Sequence, residues 1–193
     1  MDTAPKRLPA RDRILDTAST LFYAHGIQAV GVDRLIAESG VAKATLYKHF
    51  PSKDDVVIAY LRRMDDNWRR HLRSAALAGG ETPREQLFGV FVALEKTARE
   101  GRLGCAFINA VAEYLPGSAV HAVAAEHKHA VRAWVRDLAT SAGARDPDTL
   151  AFQLTLLIDG TLAATRVEHA GAAAGAAKQA ARELLDVACP VPG

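Results

Sequence analysis

The stretch Val32-Asp-Arg-Leu-Ile-Ala-Glu-Ser-Gly40-Val-Ala-Lys-Ala-Thr-Leu-Tyr-Lys-His-Phe50 sets two short apolar-periodic segments on either side of one glycine. Leu35 and Ile36 form the inner face of the first segment, and Val41, Leu46 and Phe50 that of the second. Gly40 is the residue type that closes a helix in the left-handed conformation. The reading is helix, tight turn, helix. With the inner face of the second helix used up, Lys43, Thr45, Tyr47, Lys48 and His49 are left pointing outward. A short helix of this kind fits the major groove of DNA, where its early residues reach base edges.

Charge sharpens the reading. Val41 to Lys53 contains three lysines and no acid. Each lysine can neutralise a phosphate and release its counterions. Lys53 falls in the first turn of the following helix, where a cation opposes the helix dipole and a bound anion is favoured. A phosphate beside Lys53 resolves that conflict. The other reading of these residues is a helical hairpin with a lysine-rich solvated face.

Working outward, residues 10–25 place Ile14, Leu15, Ala18, Leu21 and Phe22 on one helical face, ended by Gly26. After Phe50 and Pro51, Ser52 with Asp55 three residues later is a capping-box arrangement that opens a long helix over about 53–77. Thr82-Pro83-Arg84-Glu85 starts another, to about 99, with cap, N1 proline and N3 acid in order. Further helices are predicted at about 104–115, 119–142, 147–170 and 174–188, punctuated by Pro116-Gly117-Ser118, Gly143, Asp146-Pro147, and Gly171 with Gly175. The expected fold is all-α, with about nine helices. A three-helix head at 1–52 is joined by a long helix to a larger helical bundle at 53–193.

Composition agrees and sets limits. The 193 residues are 49% hydrophobic and only 6% aromatic, enough for one core or two small ones and favouring helix over strand. The net charge of +2 means that any nucleic-acid footprint is local rather than global. The amino terminus, Met-Asp-Thr-Ala-Pro-Lys-Arg-Leu-Pro, lacks the apolar run of a signal peptide. No stretch approaches about 18 uncharged apolar residues, so no membrane span is expected. Cys105 and Cys189 have no paired spacing, and free thiols in a cytoplasmic protein are expected. Cys105 reads as a small buried apolar residue, or alternatively as a sensing thiol.

Gly40-Val-Ala-Lys43-Ala-Thr45-Leu-Tyr47-Lys-His-Phe50-Pro-Ser-Lys53 resembles the signature of the TetR/AcrR family of transcriptional regulators, G-V-S-K-x-T-L-Y-x-H-F-x-S-K. The resemblance covers about residues 10–57 and includes Ala18, Leu21, Phe22 and Gly26 of the first helix. It implies a dimeric protein that binds double-stranded DNA, the third helix entering the major groove. The DNA-binding set it implies is Lys43, Ala44, Thr45, Tyr47, Lys48, His49 and Lys53. Tyr47 and Lys53 would hold phosphates, and Thr45 and Lys48 would lie near bases. Three positions depart from the family pattern. Ala42 replaces a common serine, Gly31 a capping Thr or Ser, and Ile36 a small alanine. Arg7, Arg11 and Arg13 read either as a basic arm on phosphates or the minor groove, or as a solvated tail.

The resemblance also implies that the remaining helices sense a small-molecule effector and dimerise. Phe88, Phe91, Phe107, Asn109, Glu113, Trp134 and Phe152 are the candidate lining of an apolar effector cavity, with Asp159 a further polar group. Leu154, Leu157, Ile158 and Leu162, in a stripe running on to Thr165, and Ala177, Ala181, Leu184 and Leu185 are candidates for the dimer interface, or alternatively for the chain's own core. His121, His127 and His129 lack metal-ligand spacing and read as a solvated face, so no metal or cofactor is expected. The chain contains no G-x-S-x-G, P-loop or dinucleotide glycine pattern, which argues against an enzyme. A repressor released from a palindromic operator by an effector is the function expected, the alternative being an activator or a DNA binder without effector.

Overall fold

The computed structural model describes residues 8–100, 104–164, 167 and 170–189. Among these residues there are nine helices and no strand. They are α1 (Ala10–His25), α2 (Val32–Ser39), α3 (Lys43–His49), α4 (Lys53–Gly79), α5 (Pro83–Arg99), α6 (Ala106–Ala112), α7 (Ala119–Ser141), α8 (Pro147–Ala164) and α9 (Ala170–Ala188).

The helix boundaries follow local chemistry. Gly40 sits at φ 64°, in the left-handed region that closes α2. At the start of α4 the Ser52 and Asp55 side chains each take up the other's backbone N–H, at 2.9 and 3.2 Å. Thr82 and Glu85 repeat the device on α5, at 3.0 and 3.3 Å. Asp146 accepts the Thr149 N–H at 3.0 Å to start α8. Several boundaries differ from the sequence reading, among them the end of α8, which falls at Ala164 rather than about 170. Helix α4 runs on to Gly79, and α6 stops at Ala112. Helix α9 begins at Ala170, so Gly171 and Gly175 lie inside it rather than before it. Both glycines face α5, where an added Cβ would stand 3.7 Å from Arg99 and Glu95 respectively.

The chain divides into two compact units, residues 1–64 with 106–124, and residues 65–105 with 125–193. In the first, α1 packs on α2 and α3. Ile14, Ala18, Leu35, Leu46 and Val57 are fully shielded there, and Phe22 meets Tyr60 edge to face at 5.4 Å. This unit takes in the first half of α4 and all of α6, beyond the 1–52 span expected for the head. In the second unit α9 packs on both α5 and α8. Its core includes Leu87, Phe91, Leu150, Leu154 and Leu185, each at most 2% exposed. No described helix is long and apolar enough to cross a membrane.

Candidate nucleic-acid interface

Helix α3 is held by its apolar side. Leu46 is fully buried, Phe50 is 3% and Val41 7% exposed, and these three anchor the helix against the rest of the head. The opposite side is open. Lys43, Ala44, Tyr47, Lys48 and His49 are exposed, and Thr45 is half-buried. Lys53 is half-buried in the first turn of α4. No ion pair with a described residue engages Lys43, Lys48 or Lys53. Exposed cations without a carboxylate partner are available to phosphates. Neither Gly31 nor Ala42 provides a side-chain cap, so the amino-terminal N–H groups of α2 and α3 receive none from those positions.

Among the described residues, the neighbouring arginines form no separate arm. Arg11 and Arg13 lie in the first turns of α1, whose boundary falls at Ala10. The Arg11 guanidinium stands 5.4 Å from the centre of the Phe50 ring, and Arg13 Nη1 donates to the Gly40 carbonyl at 3.3 Å. Both brace the helix-turn-helix. Arg7 lies outside the described residues.

Two residues of the head come from far along the sequence. Glu113 accepts the Ile27 and Gln28 backbone N–H groups at 3.0 and 2.7 Å, and Tyr114 Oη donates to Asp54 Oδ1 at 2.8 Å. Burial, reinforced by the Asp54 carboxylate, pushes the Tyr114 phenol well above its usual range and keeps it protonated. No local pattern in the sequence signals either contact.

The residues expected to line an effector cavity divide between the two units. Phe107, Asn109 and Glu113 belong to the first unit, whereas Phe88, Phe91, Trp134 and Phe152 belong to the second. Within the second unit they scatter. Phe91 is packed in the core at 1% exposure. Phe88 lies under Arg182 in a surface groove of about 260 Å³ between α5 and α9. Trp134 borders a small space against α4, and Phe152 is exposed on α8, with Arg132 stacked 4.4 Å away. Aromatic character does not separate core from rim or surface. A space of about 20 Å³ beside Trp68, Leu72, Leu94 and Ile158 holds no more than a water molecule. Asp159 pairs with Lys128, whose Nζ also lies 3.9 Å from the buried Cys105 thiol.

The expected dimer stripe is corrected by burial. Leu154, Ile158, Leu162, Ala177, Ala181 and Leu185 are at most 6% exposed within one protomer, because α8 and α9 turn those faces to each other and to α5. A partner cannot reach them. Leu157 and Leu184 are half-buried, and Thr165 lies outside the described residues. The faces left open carry Phe152, Leu156, Gly160 and Ala163 on α8, and Ala172, Ala176 and Val187 on α9. The histidines are committed separately. His121 Nε2 lies 3.1 Å from the Val111 and Tyr114 carbonyls, His127 Nδ1 lies 2.7 Å from Asp65, and His129 is exposed.

A helical chain whose helix-turn-helix turns the basic, acid-free face of α3 outward is, by class, a DNA-binding regulator. The comparisons specify it. Residues 14–60 match the family model described as "Bacterial regulatory proteins, tetR family". The fold superimposes on SCO4454, a TetR-family transcriptional regulator from Streptomyces coelicolor, with a TM-score of 0.86 and 34% identity over 93% of this chain and 96% of that one. The HTH-type transcriptional regulator YjdC of Escherichia coli is 27% identical over 91% of this chain and 93% of its own length. Regulatory protein TetR from Rhodobacter sphaeroides, at 24% identity, shares the fold with a TM-score of 0.77 over 91% of this chain and 98% of that one. The chain belongs to the TetR family. It is a DNA-binding transcriptional regulator.

Proposed function

We propose that the protein is a homodimeric repressor that holds a palindromic operator through two copies of α3 and releases it when a small-molecule effector binds. The observation that carries the reading is the polarity of α3, with Leu46 sealed inward and Lys43, Tyr47, Lys48 and His49 open to solvent. Lys43, Tyr47, His49 and Lys53 contact the phosphate backbone, while Ala44, Thr45 and Lys48 face the bases. Residues 1–52, together with Lys53, make the DNA contacts, and the rest of 53–193 binds effector and dimerises.

Dimerisation uses the open faces of α8 and α9. Phe152 is 48% and Leu156 62% exposed there, and the small residues beside them permit close helix approach. A two-fold dimer sets its two recognition helices about 34–36 Å apart, one turn of DNA. The effector enters the second unit near Trp68, Leu94 and Ile158 and widens the small space there. Its differential affinity for the two arrangements of the heads sets the loss of DNA affinity.

The test is selection of bound duplexes from a random DNA library at physiological salt. Enrichment of a palindrome supports the reading and supplies the operator needed for an effector screen. A folded, dimeric protein that enriches no sequence overturns it.

A further inference from the structure

We propose that the groove between α5 and α9 binds a small carboxylate carried on a single ring, held by Arg182 at its acid end and by Phe88 and Leu185 at its apolar end. The groove lies wholly within the second unit. The inference goes beyond the function proposed above and does not rest on it.

The space suits a ligand of that size. The groove holds about 260 Å³ and opens to solvent. A dry cavity of about 150 Å³ takes a benzene ring, so the groove has room for one ring and an acid group. Gly79, the last residue of α4, borders it and has no side chain to fill it. The groove shares no lining residue with the small space beside Trp68, Leu72, Leu94 and Ile158.

The charges select an anion. Arg84, Glu85, Arg182 and Asp186 line the groove, two cations and two acids. Asp186 accepts from Arg84 Nη2 and is neutralised there. Glu85 Oε2 takes up the Thr82 N–H at 3.0 Å and the Thr82 hydroxyl at 2.8 Å, so that acid is spent within its own turn, at the favourable end of the α5 dipole. Arg182 has neither a carboxylate nor a hydrogen-bond partner among the described residues. Its guanidinium lies 4.7 Å from the centre of the Phe88 ring. Stacking uses the flat face of the guanidinium and leaves its in-plane N–H groups free to grip a carboxylate at two points. Arg84 is also short of an acceptor, since its Nε is enclosed with no hydrogen-bond partner.

The apolar end lies beside that cation. Phe88 is half-buried on α5, and Leu185 faces it from α9. With one face of Phe88 under Arg182, a ligand ring packs at its edge, the arrangement that aromatic pairs favour. A ring and an acid joined directly reach both ends at once.

The experiment titrates the full-length protein with benzoate, benzamide and inorganic phosphate, followed by amide NMR. Benzoate is expected to saturate with a Kd on the order of 1 mM and to move the amides of residues 84–88 and 182–186. Benzamide keeps the shape without the charge, and phosphate the charge without the ring. Each is expected to bind at least about tenfold more weakly. Arg182→Gln is expected to cost benzoate about tenfold in affinity, and Phe88→Leu about fivefold. Arg182 is exposed, so the ligand-free Arg182→Gln protein is expected to melt as wild type does. Benzoate affinity unchanged in Arg182→Gln overturns the inference, as do shifts confined to other residues. Phosphate or benzamide binding as tightly as benzoate overturns it too, and so does benzoate that fails to saturate at tens of millimolar. Operator binding is measured separately, so neither failure entails the other.

Discussion

Gly79, the last residue of α4, and Gly89 on α5 approach so closely that a Cβ added to either would lie 2.5 Å from the other's Cα. The Glu85 and Ala75 carbonyl oxygens are almost as near, at 2.7 and 2.9 Å. Alanine is a better helix former than glycine by about 1 kcal/mol, so propensity alone favours Gly89→Ala. The backbone contact reverses the sign, because the atoms in the way belong to two helices and not to a flexible side chain. Gly89→Ala is expected to lose about 1–3 kcal/mol of stability in urea unfolding. Equal or greater stability would show that α4 and α5 part without cost.

The phosphate assignment predicts how salt acts on DNA binding. Lys53→Ala and Tyr47→Ala are expected to weaken binding to every duplex. For Lys53→Ala the slope of log affinity against log salt falls by about one. Changes at Thr45 or Lys48 instead alter the preferred sequence. Titrations at several salt concentrations separate the two classes, and an unchanged slope in Lys53→Ala removes that residue from the phosphate set.

The open and sealed faces of α8 predict opposite failures. Leu156, 62% exposed, becomes Glu without loss of fold, and Leu156→Glu is expected to yield folded monomers in sedimentation. Leu154, 1% exposed, buries an unpaired charge when it becomes Asp, and Leu154→Asp is expected to unfold the second unit. A Leu156→Glu protein that stays dimeric places the interface elsewhere.

His127 predicts a pH dependence of stability. Its ring is 4% exposed, and burial lowers its pKa from 6.5 even though Asp65 pulls the other way. Asp65 on α4, its own neighbour Lys128, and Asp159 on α8 are among the charges acting on it. With a folded-state pKa below the unfolded one, the unfolded chain takes up the proton first as pH falls. The contribution is fully present above about pH 6.5 and is lost below it, down through the lowered value. Melting midpoints are expected to fall by a few degrees between about pH 7.5 and about pH 5.5, at roughly 2–4 °C per kcal/mol. His127→Gln is expected to remove most of that slope, and an unchanged slope assigns it to other groups.

Much of this was legible in the chain itself. The spacing of Leu35, Val41, Leu46 and Phe50 around Gly40 gave the helix-turn-helix, because a helix repeats its faces every few residues and neighbours in sequence are neighbours in space. The start of α5 was equally clear, since the Thr82–Glu85 box is closed within four residues. The run from Gly40 to Lys53 carried the family resemblance, which the matching family model and solved structures support.

What only the tertiary structure decided involves partners far apart in sequence. Periodicity shows that Leu154 and Leu156 lie on different sides of α8, but not which side meets α9 and which stays open. Glycine is a helix breaker by propensity, yet Gly171 and Gly175 lie within α9 where it passes α5. Glu113 read as a polar group in an effector site and instead holds the Ile27 and Gln28 amides. The sequence by itself determined the helices, their inner faces and the basic surface of α3, because those depend on local steric and hydrogen-bonding rules. Which faces meet depends on packing energies summed over residues tens of positions apart, and no local pattern encodes that sum.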